Sequence, residues 1–151
     1  MRIVLSGIDK QHKEPYNSCM GQPYRRKETC VFLLNYHVVF CPKRRRKILV
    51  GPIRDRLMVL VRETATNLEC DVLAIEVMPD HVHLFLSATP QRAPNQLIGR
   101  IKGKSARSLR QEFPELQRMP SVWTRSYFIS TAGNVSSETI ARYIAGQTTR
   151  D

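Results

Sequence analysis

Hydrophobic and polar positions alternate in recognisable ways along most of the chain. From 31 to 41 the residues are mainly Val, Phe, Leu and Tyr and stop at Pro42, which predicts a strand. After the break at Gly51-Pro52, Ile53, Leu57, Leu60, Val61, Thr64 and Leu68 recur at helical spacing. Arg54, Asp55, Arg62 and Glu63 fall outside that stripe, so 53–67 is predicted as an amphipathic helix. A strand follows over 70–77, a turn at Met78-Pro79-Asp80, and another strand from His81 to about Ser87. After a loop with two prolines, a second helix is expected over 95–113. Leu97, Ile98, Ile101, Ser105, Ser108 and Leu109 face inward, while Gly99 and Gly103 each cost ~1 kcal/mol relative to Ala. Pro114 and Pro120 bracket a loop, 127–131 reads as the last strand, and Ala132-Gly133-Asn134 as a turn. Ser136 is a good N-cap and Glu138 suits the first turn of a terminal helix running through Ile140, Tyr143 and Ile144 to about Gln147.

Residues 1–29 show no sustained period and predict an irregular N-terminal arm, which leaves 30–151 as a single domain. The element order implies an α+β class: an antiparallel sheet with helices packed on it, similar to the ferredoxin-like or RNA-recognition arrangement. That architecture serves many functions, so the function has to come from particular residues.

Charge narrows the choice of partner. Lys and Arg number 24 against 13 Asp and Glu, a formal net charge of +11. Such a balance favours nucleic acid, because every phosphate contacted by a cation releases condensed counterions. A membrane surface is the competing partner, but no long amphipathic basic helix supports it. The cations cluster in Arg25-Arg26-Lys27, in Lys43-Arg44-Arg45-Arg46-Lys47 and in Arg100, Lys104 and Arg107, which share one helix face. Each cluster is either solvated surface or a phosphate contact. Cys19, Cys30, Cys41 and Cys70 form no C-x-x-C pair and no zinc-finger spacing, so free thiols in a reducing cytoplasm are expected. Met1-Arg2-Ile3-Val4-Leu5 is too short for a signal peptide, and no run approaches the ~20 apolar residues of a membrane span.

The densest chemistry lies at His81-Val82-His83. On a strand these histidines must point to one face while Val82, Leu84 and Leu86 point to the other. Two imidazoles side by side can hold one ion, and packing is the competing use. Trp123 is either core or a base-stacking platform. Tyr143 and Gln147, four apart, lie on one helix face. Gly103-Lys104-Ser105 is no phosphate loop, since Ile98 stands where such a loop needs glycine.

Several segments together resemble one family. Asn35-Tyr36-His37-Val38-Val39-Phe40, the basic run after it, Met78 to Ser87, Lys102-Gly103-Lys104-Ser105, Trp123 to Tyr127, and Tyr143-Ile144-Ala145-Gly146-Gln147 are similar, in this order, to the single-tyrosine HUH transposases. These TnpA-type enzymes move insertion sequences as single-stranded DNA. The resemblance implies that Tyr143 is the nucleophile and that His81, His83 and Gln147 hold a divalent metal, Mg2+ or Mn2+. It also implies single-stranded DNA with hairpin ends as substrate, and a homodimer with active sites shared between subunits. Lys43, Arg44, Arg45, Arg46, Lys47, Arg100, Lys102, Lys104, Arg107, Trp123 and Arg125 become the expected DNA contacts. A non-catalytic, domesticated hairpin-binding regulator is the competing reading. It would keep the basic surface without needing Tyr143, His81 and His83 together. A histidine-triad hydrolase fails because Phe85 stands where its next histidine belongs, and replication nickases and relaxases are usually longer.

Overall fold

The computed structural model describes residues 23–132. Strands β1 (Arg25–Lys27) and β2 (Cys30–Phe32) form a small antiparallel hairpin, and β3 (Leu34–Phe40) continues from it. Helix α1 (Gly51–Asn67), β4 (Asp71–Met78), β5 (His81–Ala88), helix α2 (Pro94–Glu112) and β6 (Phe128–Thr131) follow. The main sheet is antiparallel throughout with order β4-β5-β3-β6, so β5 and β3 are its inner strands.

Both helices cover one face. Val38 and Phe40 of β3 and Val82, Leu84 and Leu86 of β5 meet Leu57, Leu60 and Val61 of α1 and Leu97, Ile98, Ile101 and Leu109 of α2 in one buried cluster. Burial of such side chains contributes about 1.5–3 kcal/mol each. The opposite face is different in kind. Cross-strand partners share a face, so Asn35 with Ser87, His37 with Phe85, and Val39 with His83 all lie away from the helices. Phe85 accordingly packs in a separate small cluster with Leu73, Ala74 and Ala132.

Three boundaries differ from expectation. The strand expected over 31–41 is divided at Leu33, where the chain passes from the hairpin into the main sheet. Arg25–Lys27 is a strand inside the segment whose pattern predicts none. Its sequence is all cationic and carries no apolar alternation, and it is held by pairing and by polar ties instead. The Arg25 guanidinium donates to Ser87 O at 3.0 Å and Glu69 O at 2.9 Å, and Lys27 meets the Glu69 carboxylate at 2.6 Å. Gly51-Pro52 opens α1 rather than preceding it, since proline in a first turn gives up an amide that has no helical partner there. Ser108 is only half-buried, unlike the other inward residues of α2. The expected helix over 136–147, with Tyr143 and Gln147, lies outside the described residues, as do Cys19 and 1–22. Cys30, Cys41 and Cys70 are free thiols. Among the described residues no helix is long and apolar enough to cross a membrane.

Candidate functional site

Strand β5 is buried along its whole length because it has a strand on either side and the helices on one face. Its alternation sends Val82, Leu84 and Leu86 into the helix-covered core, so His81 and His83 emerge together on the other face. Their rings stand 5.0 Å apart between centroids with planes at 83°. With a metal–nitrogen bond of ~2.1 Å, two imidazoles sharing one ion at ~90–110° have centroids roughly 4.6–5.3 Å apart. The observed separation falls within that range, so the pair fits a divalent cation. Among the described residues no cluster of three His, Cys, Asp or Glu side chains is placed to hold a metal, so a complete site needs ligands beyond the two imidazoles.

Each ring is held from behind. His81 Nδ1 lies 2.7 Å from Asp80 Oδ1, and the carboxylate is held below its ordinary range first by that hydrogen bond. Arg45 reaches the other oxygen, Nη2 to Oδ2 at 3.3 Å. His83 Nδ1 lies 3.2 Å from His37 Nε2, with the two ring planes 13° apart. His37 itself lies parallel to Phe85 at 4.5 Å and edge-on to Phe128 at 5.9 Å, and its burial lowers its pKa below the usual imidazole value. Asp80 and His37 thus belong to this site although the residue pattern assigns neither a role. The signal for Asp80 is its place directly before the histidine strand. For His37 it is its parity with Asn35 and Val39 on the strand that pairs with β5.

The expected DNA contacts separate into groups. Lys43–Arg45 forms one turn of 3-10 helix in which Arg44 and Arg45 both have positive φ, 59° and 51°. Two consecutive left-handed arginines cost on the order of 1–3 kcal/mol each, and the surrounding contacts hold them there. Lys43 N donates to Val122 O at 2.8 Å, and Thr124 N to Cys41 O at 3.0 Å. The outcome is a sharp basic turn with Arg44, Arg45, Arg46 and Lys47 exposed. On α2, Arg100, Lys104 and Arg107 are exposed together, and Arg125 is exposed beyond them. Lys43, Asn95, Arg125 and Tyr127 line an open cleft of about 500 Å³ that does not include the histidines.

Two expected contacts also have partners within the fold. Lys102 points its ammonium at three backbone carbonyls, Thr124 O at 2.7 Å, Ser126 O at 3.2 Å and Arg125 O at 3.3 Å, with the Tyr127 ring 5.5 Å away. An ammonium has three protons to donate, so these bonds occupy it, and burial lowers its pKa. Lys102 fastens the 124–126 loop at the wall of the same cleft. Trp123 is only 6% exposed, packs edge-on against Phe40 and donates its indole N–H to Ser105 Oγ at 3.1 Å. The ring is packed into the core and borders the cleft.

Similar proteins complete the picture. The sequence matches the family of IS200-like transposases over residues 30–147. It is 39% identical over 120 residues to the ISDra2 transposase TnpA of Deinococcus radiodurans, covering 78% of this chain and 86% of that one. With the transposase for insertion sequence element IS200 of Salmonella typhimurium the identity is 31%, over 77% of this chain and 78% of the other. Among solved structures, a Deinococcus radiodurans transposase superposes with a TM-score of 0.68 at 35% identity, covering 82% and 97% of the two chains. The REP-associated tyrosine transposase bound to a REP hairpin shares the fold at a TM-score of 0.54 and 13% identity, covering 82% of this chain and 68% of that one. A match extending from β2 nearly to the last residue, through the histidine strand, shows that the chain belongs to the IS200-like transposase family.

Proposed function

We propose that this transposase cleaves and rejoins single-stranded DNA through a 5′-phosphotyrosine formed on Tyr143. The observation that carries the reading is the pair His81 and His83, on one strand face at a separation suited to one cation, each with its Nδ1 already engaged. Family membership supports the reaction class, and the resemblance of Tyr143 and Gln147 to the Y-x-x-x-Q motif of the single-tyrosine HUH transposases supports the nucleophile and a third ligand.

A phosphodiester resists attack because nucleophile and phosphate oxygens are both electron-rich and repel each other. A divalent cation, Mg2+ or Mn2+, held by His81, His83 and the Gln147 amide oxygen, would neutralise those oxygens and polarise phosphorus. The Tyr143 phenol gives up its proton to solvent as its oxygen bonds to phosphorus. The bond from phosphorus to the 3′ oxygen breaks, and that oxygen leaves as a hydroxyl after taking up a proton. A 3′ hydroxyl of another strand later attacks the same phosphorus and releases the phenol, so resealing needs no ATP. The cations of 43–47, with Arg100, Lys104, Arg107 and Arg125, hold the phosphates of hairpins at the element ends. The hairpin on the REP-associated relative is in keeping with such a substrate. The chain acts as a homodimer in which Tyr143 of one subunit serves the histidines of the other.

The test is direct. Incubation with single-stranded DNA from the flanks of its own gene should give a covalent adduct on denaturing gels. The adduct should vanish in Tyr143→Phe and after chelation. Tight binding with no adduct on any flanking strand would replace this reading with that of a non-catalytic hairpin binder.

A further inference from the structure

We infer that His37 is a positioning residue whose Nε2 accepts the Nδ1 proton of His83 and so fixes His83 in the tautomer that offers Nε2 to a cation. The inference rests on the proposed metal site and extends it to a strand outside the histidine motif.

A neutral imidazole carries one proton, and whichever nitrogen holds it cannot bind a metal through that atom. At His81 the matter is settled by a carboxylate: Asp80 Oδ1, which only accepts when ionised, sits 2.7 Å from Nδ1 and leaves the lone pair on Nε2. At His83 the corresponding place behind Nδ1 is taken by another imidazole, His37, at 3.2 Å. One proton lies between these two nitrogens, and its owner decides what His83 can do. If His83 donates, both strand histidines present Nε2 on the same face, in keeping with their 5.0 Å ring separation. If His37 donates, the proton of His83 moves to Nε2 and one ligand is lost.

The surroundings keep the His37 ring in place. It lies flat on Phe85, its cross-strand partner, at 4.5 Å and 8°, with the Phe128 edge on its other side. Partners behind a ligating imidazole typically change metal affinity by about 10–100-fold when removed. Here the partner is supplied by β3, so the register of β3 against β5 is itself part of the metal site.

The experiment uses the full chain with 15N-labelled histidine, free of metal, and Mn2+ alone as the probe. Long-range proton–nitrogen spectra of wild type should show the His83 proton on Nδ1. His37→Phe keeps a ring against Phe85 but removes the acceptor. It should give a mixture of His83 tautomers and weaken Mn2+ binding about 10–100-fold, both read at a temperature where the variant is fully folded. His37→Gln, whose amide oxygen can accept, should recover most of the affinity. A wild-type spectrum with the His83 proton on Nε2 overturns the inference without any variant, and so does a His37→Phe protein whose His83 tautomer is unchanged. If the His83 tautomer shifts in His37→Phe yet wild type binds no Mn2+, the hydrogen bond from His83 to His37 stands and the metal reading of the site fails.

Discussion

The two faces of the main sheet are made from alternate residues of the same strands, yet they have opposite chemistry. Toward the helices β5 offers Val82, Leu84 and Leu86, all fully buried among aliphatic partners. Away from them it offers His81, His83, Phe85 and Ser87, whose neighbours include His37, Asp80 and Phe128. One face carries stability through shape and apolar area, and the other spends buried positions on groups that must be hydrogen-bonded to be there at all. A strand with one side rigidly packed is a good mount for two imidazoles that must keep their places, because their backbone cannot drift without disturbing the core.

Adjacent positions should therefore fail in opposite ways. Leu84→Ala removes a fully buried side chain and should cost about 2–5 kcal/mol in urea or thermal unfolding. His83→Asn, one residue earlier, keeps a donor close to the former Nδ1. It should cost less than roughly 1.5 kcal/mol while abolishing metal-dependent adduct formation. Equal stability losses at 83 and 84, or an active His83→Asn protein, would remove the division of labour between the faces.

How much of this was legible beforehand follows the same division. The helix-facing stripe of α1 and most of that of α2 can be read from spacing, since Leu57, Leu60, Leu97, Ile101 and Leu109 must be buried somewhere. The shared face of His81 and His83 follows from strand geometry alone. What spacing hides is long-range pairing. Nothing local says that His37 stands behind His83, forty-six residues away in sequence. Nor does composition reveal that Lys102, one cation among many on α2, turns to the 124–126 carbonyls while Lys104 turns to solvent. The β1 strand was hidden for a related reason, because Arg25 and Lys27 are fastened by partners at 69, 87 and 88 that no window around them contains.

The two lysines sharpen the comparison at a smaller scale. Lys102→Met strips three carbonyls of their donor and should lower stability by about 1–3 kcal/mol. The salt dependence of DNA binding should stay as it was, since the three carbonyls hold this ammonium. Lys104→Met, at an exposed position two residues on, should change stability by less than ~0.5 kcal/mol. The slope of log affinity against log salt for single-stranded DNA should flatten by about 0.7. Exchanged outcomes, with a flatter slope for Lys102→Met and a loss of stability for Lys104→Met, would return Lys102 to the DNA surface.

The smallest effect belongs to the β1–β2 hairpin, which is tied to the α1–β4 junction and the end of β5 by polar bonds rather than by an aliphatic core. The Lys27 ammonium, 2.6 Å away, is the first cause of a lowered pKa at the Glu69 carboxyl. A carboxyl whose folded-state value is depressed stabilises the fold above its unfolded value, roughly pH 4.3, and loses that contribution as pH falls through the lower folded value. Glu69→Gln should therefore melt slightly below wild type near pH 6, and the two curves should converge as pH drops through the acid range. High salt at pH 6 should narrow the same gap, because the pair is exposed and screened. Coincident curves at pH 6 would mean that Glu69 holds the hairpin through its backbone oxygen on Arg25 alone, at 2.9 Å, and that the carboxylate adds nothing.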